Sequence, residues 1–189
     1  MPDDRSFALA YAEEAFRSFR GYKRMAEGTF AQLDDRAFFH FPDPESNSIA
    51  ILAKHISGNL RSRWTDFLTT DGEKPDRNRD QEFVLTPADT REDLMRRWEA
   101  GFDTVFSTLK ALKPEDFEKT VHIRNEPHTI IQAINRSLNH VAGHISQIVF
   151  LGKLLRGAEW KTLSIPRGKS AEFNAIKPED RKVKSPTHG

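Results

Sequence analysis

Cysteine is absent from the 189 residues of this chain. That removes disulfides, thiolate metal ligands and a cysteine nucleophile together. No apolar run approaches the ~20 residues that a membrane helix needs. Residues 1–10 also lack the basic-then-apolar pattern of a secretory signal. The expectation is a soluble, cytoplasmic protein with no membrane partner. Tyrosine is scarce, 2 against 14 phenylalanines, so the aromatic residues read as packing material. A strong charge of one sign is missing too. The net charge of +1 makes no case for nucleic acid as a partner. The charge is uneven, however: Lys161–Gly189 holds seven Lys/Arg and three Asp/Glu. That basic end reads as a solvated, loosely ordered terminus rather than a nucleic-acid surface.

What is present is helical periodicity. Apolar residues recur at helical spacing over four segments, near 6–33, 48–69, 90–112 and 130–156. Asn47 or Ser48 can cap the second segment, and Thr90 with Asp93 can cap the third. Gly157 follows the fourth as a C-terminal stop. Pro42 and Pro44 break the chain after the first segment, and Asp71-Gly72 marks a turn after the second. Residues 120–131 flank Arg124-Asn125-Glu126-Pro127 with short β-prone runs, a candidate hairpin in which His122 and His128 could face each other. The spacing therefore predicts an all-α four-helix bundle over residues 1–157, with a small hairpin before its last helix. Residues 158–189 form an irregular extension, packed on the bundle or trailing from it.

The segment Glu73–Pro87 is polar, aperiodic and long for a loop between strong helices. It holds Arg77 and Arg79, whose planar guanidinium forks suit carboxylate or phosphate. An anion clamp, an ordinary solvated loop and salt bridges tying the helices together all fit. Arg61 and Arg63 read as surface residues or partners of Asp66 and Glu73. Trp64 and Trp98 read as core.

Of the seven histidines, His140 and His144 lie four apart on the fourth helix, about 40° apart at 3.6 residues per turn, so both rings point one way. They flank the face formed by Ile134, Leu138, Val141, Ile145 and Ile148. His55 on the second helix is the candidate third ligand, although it sits about 120° from the centre of that helix's apolar face. Asn59, one turn on, is a candidate to hold water or support a ligand. On spacing alone a metal site and a set of hydrogen-bonded histidines both stay open. The motif His140-Val141-Ala142-Gly143-His144 has no glutamate after its first histidine, which excludes the HExxH protease arrangement.

One histidine on the second helix, HxxxH on the fourth and no cysteine make a combination that resembles the DinB/YfiT-like superfamily of metalloenzymes, in particular a branch of uncharacterised bacterial proteins. The likeness is carried by Ser48 to His55, Gly58 to Leu68, Asp71 to Pro75, Arg77 to Asp80 and Asn139 to His144, and covers residues 5–157. The resemblance implies a four-helix bundle in which His55, His140 and His144 bind one divalent ion, nickel or zinc. It also implies homodimers and chemistry on small molecules. Some relatives are transferases or isomerases using low-molecular-weight thiols such as bacillithiol or mycothiol, and others are described as metal-dependent hydrolases. Three imidazoles leave coordination positions open, as catalytic sites do. The expected function is thus a metal-dependent thiol transferase, with Asn59, Arg77 and Arg79 as candidate catalytic residues. The alternatives are a metal-dependent hydrolase and a non-catalytic, stress-related metal-binding bundle.

Overall fold

The computed structural model describes residues 4–177. The chain is mostly helical, with four long helices and one small antiparallel hairpin. Helix α1 spans Asp4–Phe30, a short α2 Asp35–Phe38, α3 Ile49–Trp64 and α4 Arg91–Ala111. Strands β1 (Thr120–Ile123) and β2 (Glu126–Thr129) lead into α5, Ile130–Arg156, and a short α6, Ser170–Ala175.

The helix starts follow from local chemistry. Ser48 accepts the Ile51 N–H at 3.2 Å and Thr90 accepts the Asp93 N–H at 3.2 Å. Thr129 and Gln132 satisfy each other's backbone donors in a reciprocal cap at the head of α5. Gly157 ends α5 at φ 53, a region in which a side chain would be strained.

The second helix stops at Trp64, five residues short of the expected 69. Thr65 is extended and Asp66 has φ 48, so the chain leaves the helix and folds back through a turn. Phe67 nevertheless returns to the core, its ring stacked on Trp64 at 4.9 Å. That burial kept the apolar period running in the sequence past the true end. The first helix likewise gives way after Phe30 to a tight turn that still buries Leu33. Helix α2, which periodicity did not anticipate, is held by Asp34 accepting the Ala37 N–H at 2.8 Å.

Each long helix packs on two others: α1 against α5 and α4, and α3 against α4 and α5. The enclosed core is aromatic at its centre. Phe19 meets Trp64 edge-on at 5.4 Å, and Phe30 meets Trp98 at 5.3 Å. The two indole N–H groups are satisfied by Ser137 Oγ at 3.0 Å and Glu27 Oε1 at 3.2 Å.

The hairpin turns at Arg124 and Asn125, both at positive φ. In its register His128 opposes Val121 and His122 opposes Pro127, so the two histidines do not face each other. Asp71 anchors the hairpin tip by accepting the Arg124 and Asn125 N–H groups at 2.9 and 2.7 Å. The polar segment after Asp71 is an ordered strap with a 3-10 turn at Asp80–Phe83. Lys54 ties its far end by bonding the Val84 carbonyl at 2.7 Å and Asp89 at 2.9 Å. Beyond α5, the backbone of Lys161 exchanges hydrogen bonds with the Gln32 amide at 2.7 and 3.1 Å, laying this part of the chain on α1. Among the described residues no helix is long and apolar enough to cross a membrane.

Candidate metal centre

His55 projects from α3 and His140 and His144 from α5, and the fold brings all three together. One ligand nitrogen from each lies within 4.8 Å of the others, and the Nε2 atoms of His55 and His140 are 3.0 Å apart. Helical spacing explains the pair on α5. It does not explain His55, which is only 2% exposed although its helical angle put it on a flank. The reason is the strap, which covers that flank. Phe83 lies against the His55 ring at 4.6 Å, and most of α3 is buried all round as a result.

The strap also delivers Glu82. Its Oε2 lies 2.7 Å from His55 Nδ1, so Nδ1–H donates to the carboxylate and Nε2 is turned toward the other histidines. Arg77 grips the same carboxylate with two bonds, Nε to Oε1 at 2.8 Å and Nη2 to Oε2 at 2.9 Å. Burial alone would raise the Glu82 carboxyl, but the bonds from His55 and Arg77 hold it below the usual carboxylate range. Gly58 makes the approach possible: a Cβ there would collide with Glu82 Oε1 and stand 2.8 Å from its Cδ.

The other two rings are less embedded. His144 Nδ1 lies 3.3 Å from Gln147 Oε1, while the buried His140 Nδ1 has no hydrogen-bond partner among the described residues. Burial, then the neighbouring His144 and His55, push His140 down to about 3; burial and His55 also lower His144. Both rings are therefore neutral near pH 7, the form that donates to a metal. Three imidazoles with a carboxylate behind one of them could hold a metal ion.

A cavity of about 490 Å³ opens beside the histidines. Asn59, Arg77 and Arg79 all line it, but in different conditions. Asn59 is 7% exposed and its side chain has no hydrogen-bond partner among the described residues, so its amide is available to a ligand. Arg77 is spent: besides Glu82 it reaches Glu73 at 3.4 Å, which makes it a brace for the histidine support rather than a free clamp. Arg79 lies over the Phe83 ring at 5.0 Å. Arg63 pairs with Glu73 at 3.0 Å, as its reading as a partner anticipated, while Arg61 bonds Asp76 instead of Asp66.

The family is decided by residues 6–169, which match the model of a protein family of unknown function, DUF1572. The chain belongs to the DUF1572 family. The matched span holds all three histidines, Asn59, the strap with Arg77, Arg79 and Glu82, and the whole cavity lining. No curated protein and no solved structure matches the chain.

Sequence reasoning missed Glu82 and Arg136, which also lines the cavity. One signal pointed toward the first: Gly58, a glycine inside an otherwise apolar helix, marks a place where something approaches the backbone closely.

Proposed function

We propose that this DUF1572 chain is a metal-dependent enzyme acting on a small molecule, and that its four long helices form a bundle of the DinB/YfiT-like type. In this reading His55, His140 and His144 hold one nickel or zinc ion, and the reaction transfers a group to or from a low-molecular-weight thiol of the bacillithiol or mycothiol type. A homodimer and a cytoplasmic location belong to the same reading through the family likeness.

The observation that carries it is the convergence of three imidazoles on the wall of a cavity of small-molecule size. Three protein ligands suit a catalytic site, since structural sites are closed by four. A divalent ion there lowers the pKa of a water or thiol that reaches it and so supplies a nucleophile at neutral pH. The chain's own residues do the rest. Glu82 fixes the tautomer and aim of His55, and Arg77 holds Glu82 in place. The cavity lining contains no cysteine, lysine or carboxylate, and its serine, Ser137, is engaged by the Trp64 indole N–H at 3.0 Å, which favours a nucleophile supplied from outside the chain. Glu82 is engaged on both oxygens and is no free base. These points favour an added thiol. Asn59 favours a second reading, hydrolysis, because its cavity-lining amide, unpartnered among the described residues, suits the holding of a water.

The test is elemental analysis of the purified protein and its His144→Ala variant, followed by metal-edge absorption spectroscopy with a panel of small thiols. We expect one metal per chain, lost in the variant, and a sulfur neighbour on thiol addition. Turnover of an ester or amide with no sulfur neighbour would select hydrolysis. A metal content unchanged by His144→Ala would end the proposal.

A further inference from the structure

The cavity beside the histidines is lined by five arginines: Arg63, Arg77, Arg79, Arg124 and Arg136. Among the described residues three carboxylates lie within ion-pair reach of them. Glu73 is shared by Arg63, Arg77 and Arg124, and Glu82 is taken by Arg77 and His55. Asp80 reaches Arg79 only at 3.9 Å, with its side chain 94% exposed, where water screens the pair. Arg136 has no ion-pair partner among the described residues. Two guanidinium groups, those of Arg79 and Arg136, thus lack a close carboxylate beside a wall that includes Trp64, Phe67 and Phe83. A concave site with apolar walls focuses that field instead of dissipating it.

The unspent donors are also placed together. Arg136 stands one turn before His140, on the same side of α5. Asn59 stands one turn after His55 on α3, lining the cavity, and its amide has no hydrogen-bond partner among the described residues. The cavity therefore offers an amide donor in its interior and two free guanidinium groups in its lining, with aromatic surface between.

We infer that this cavity binds the oxyanion head group, carboxylate or phosphate, of a small molecule with an apolar body, through Arg136, Arg79 and the Asn59 amide. The inference deepens the proposed enzymatic reading and rests on it for what the bound molecule is for. The arginine excess itself is present with or without a metal. A cationic ligand is repelled by the same charges, and a neutral one leaves the guanidinium groups unanswered.

The experiment measures binding of 3-phenylpropionate, phenyl phosphate and neutral 3-phenylpropionamide to the purified protein by ligand-observed NMR. Metal content is determined on the same samples. At least one of the anions should bind about ten-fold tighter than the amide, the scale of one charge-assisted hydrogen bond. The tighter of the two identifies the head group. Arg136→Glu and Arg79→Gln should each erase that advantage while metal content stays constant. Equal binding of anions and amide overturns the inference. So does an anion preference that survives both substitutions, since the anion then sits on the metal ion itself. Arginine-dependent binding in protein that carries no metal would sink the metalloenzyme reading and leave the anion site standing.

Discussion

Replacing Glu82 with alanine removes the acceptor on His55 Nδ1 and strips Arg77 of its two-point partner. The imidazole is then free to rotate and to change tautomer. Metal affinity should fall about 10–100-fold, as measured by competition with a chromophoric chelator. Gly58→Ala should reproduce much of that loss without touching a ligand, because its methyl group takes the space of the Glu82 carboxylate. Affinity unchanged in both variants would show that Glu82 does not position His55. The histidines themselves make the metal-free protein sensitive to acid. His140 is held down to about 3 and His144 is lowered, whereas both titrate near 6.5 in the unfolded chain. The unfolded chain therefore binds more protons below that pH. The stability contribution is complete above pH 6.5 and is lost progressively as pH falls toward 3. Chelator-treated protein should melt at a lower temperature at pH 5 than at pH 7.5, and a His140→Gln, His144→Gln double variant should flatten the difference.

At the scale of elements, the packing of α1 on α5 depends on a glycine. A Cβ on Gly152 would collide with Thr29 Cγ2 and meet the Trp160 ring at 3.5 Å. Thr29 is fully buried and cannot swing away. Gly152→Val should cost roughly 1–3 kcal/mol by overpacking, read as a lower midpoint in urea. It should also change the fluorescence of Trp160, since the segment bearing that residue lies on this contact. The strap is the other element whose meaning changed on folding. Its charged residues, which fitted a solvated run as well as a set of salt bridges, pair with each other, with α3 and with the hairpin: Arg77 with Glu73 and Glu82, Arg63 and Arg124 with Glu73, Lys54 with Asp89. Ion pairs have no period, so a polar element built from them looks like a loop in sequence.

For the whole molecule, one ion held by His55, His140 and His144 would join α3 to α5 and couple two helices that are far apart in sequence. A ligand that binds only the folded state stabilises it by about 2.7 kcal/mol at a hundred-fold excess over its dissociation constant. For a chain of this length that is roughly a 5–10 °C rise in melting temperature. Nickel or zinc should produce that rise in the chelator-treated protein and not in a His55→Ala variant. No shift with either ion would remove the metal from the account of this fold.

The sequence alone determined the helical class, because four apolar stripes at a 3.6-residue period have no other economical burial. It determined the pairing of His140 with His144, since four residues on a helix bring two rings to one side. It also marked the hairpin and the helix caps, which depend on neighbours a few residues apart. Helix ends were less legible: Phe67 and Leu33 are buried from turns, so their hydrophobicity extended the period beyond the backbone's true stop. Only the tertiary structure decided which flank of α3 was interior. His55 looked marginal until the strap covered it, and Glu82 looked like one acid among many until the chain returned it to His55, 27 residues away. The roles of Arg77 and Arg136 were decided in the same way. Both are arginines near a site, and which one is already paired depends on carboxylates that only the folded chain places beside them.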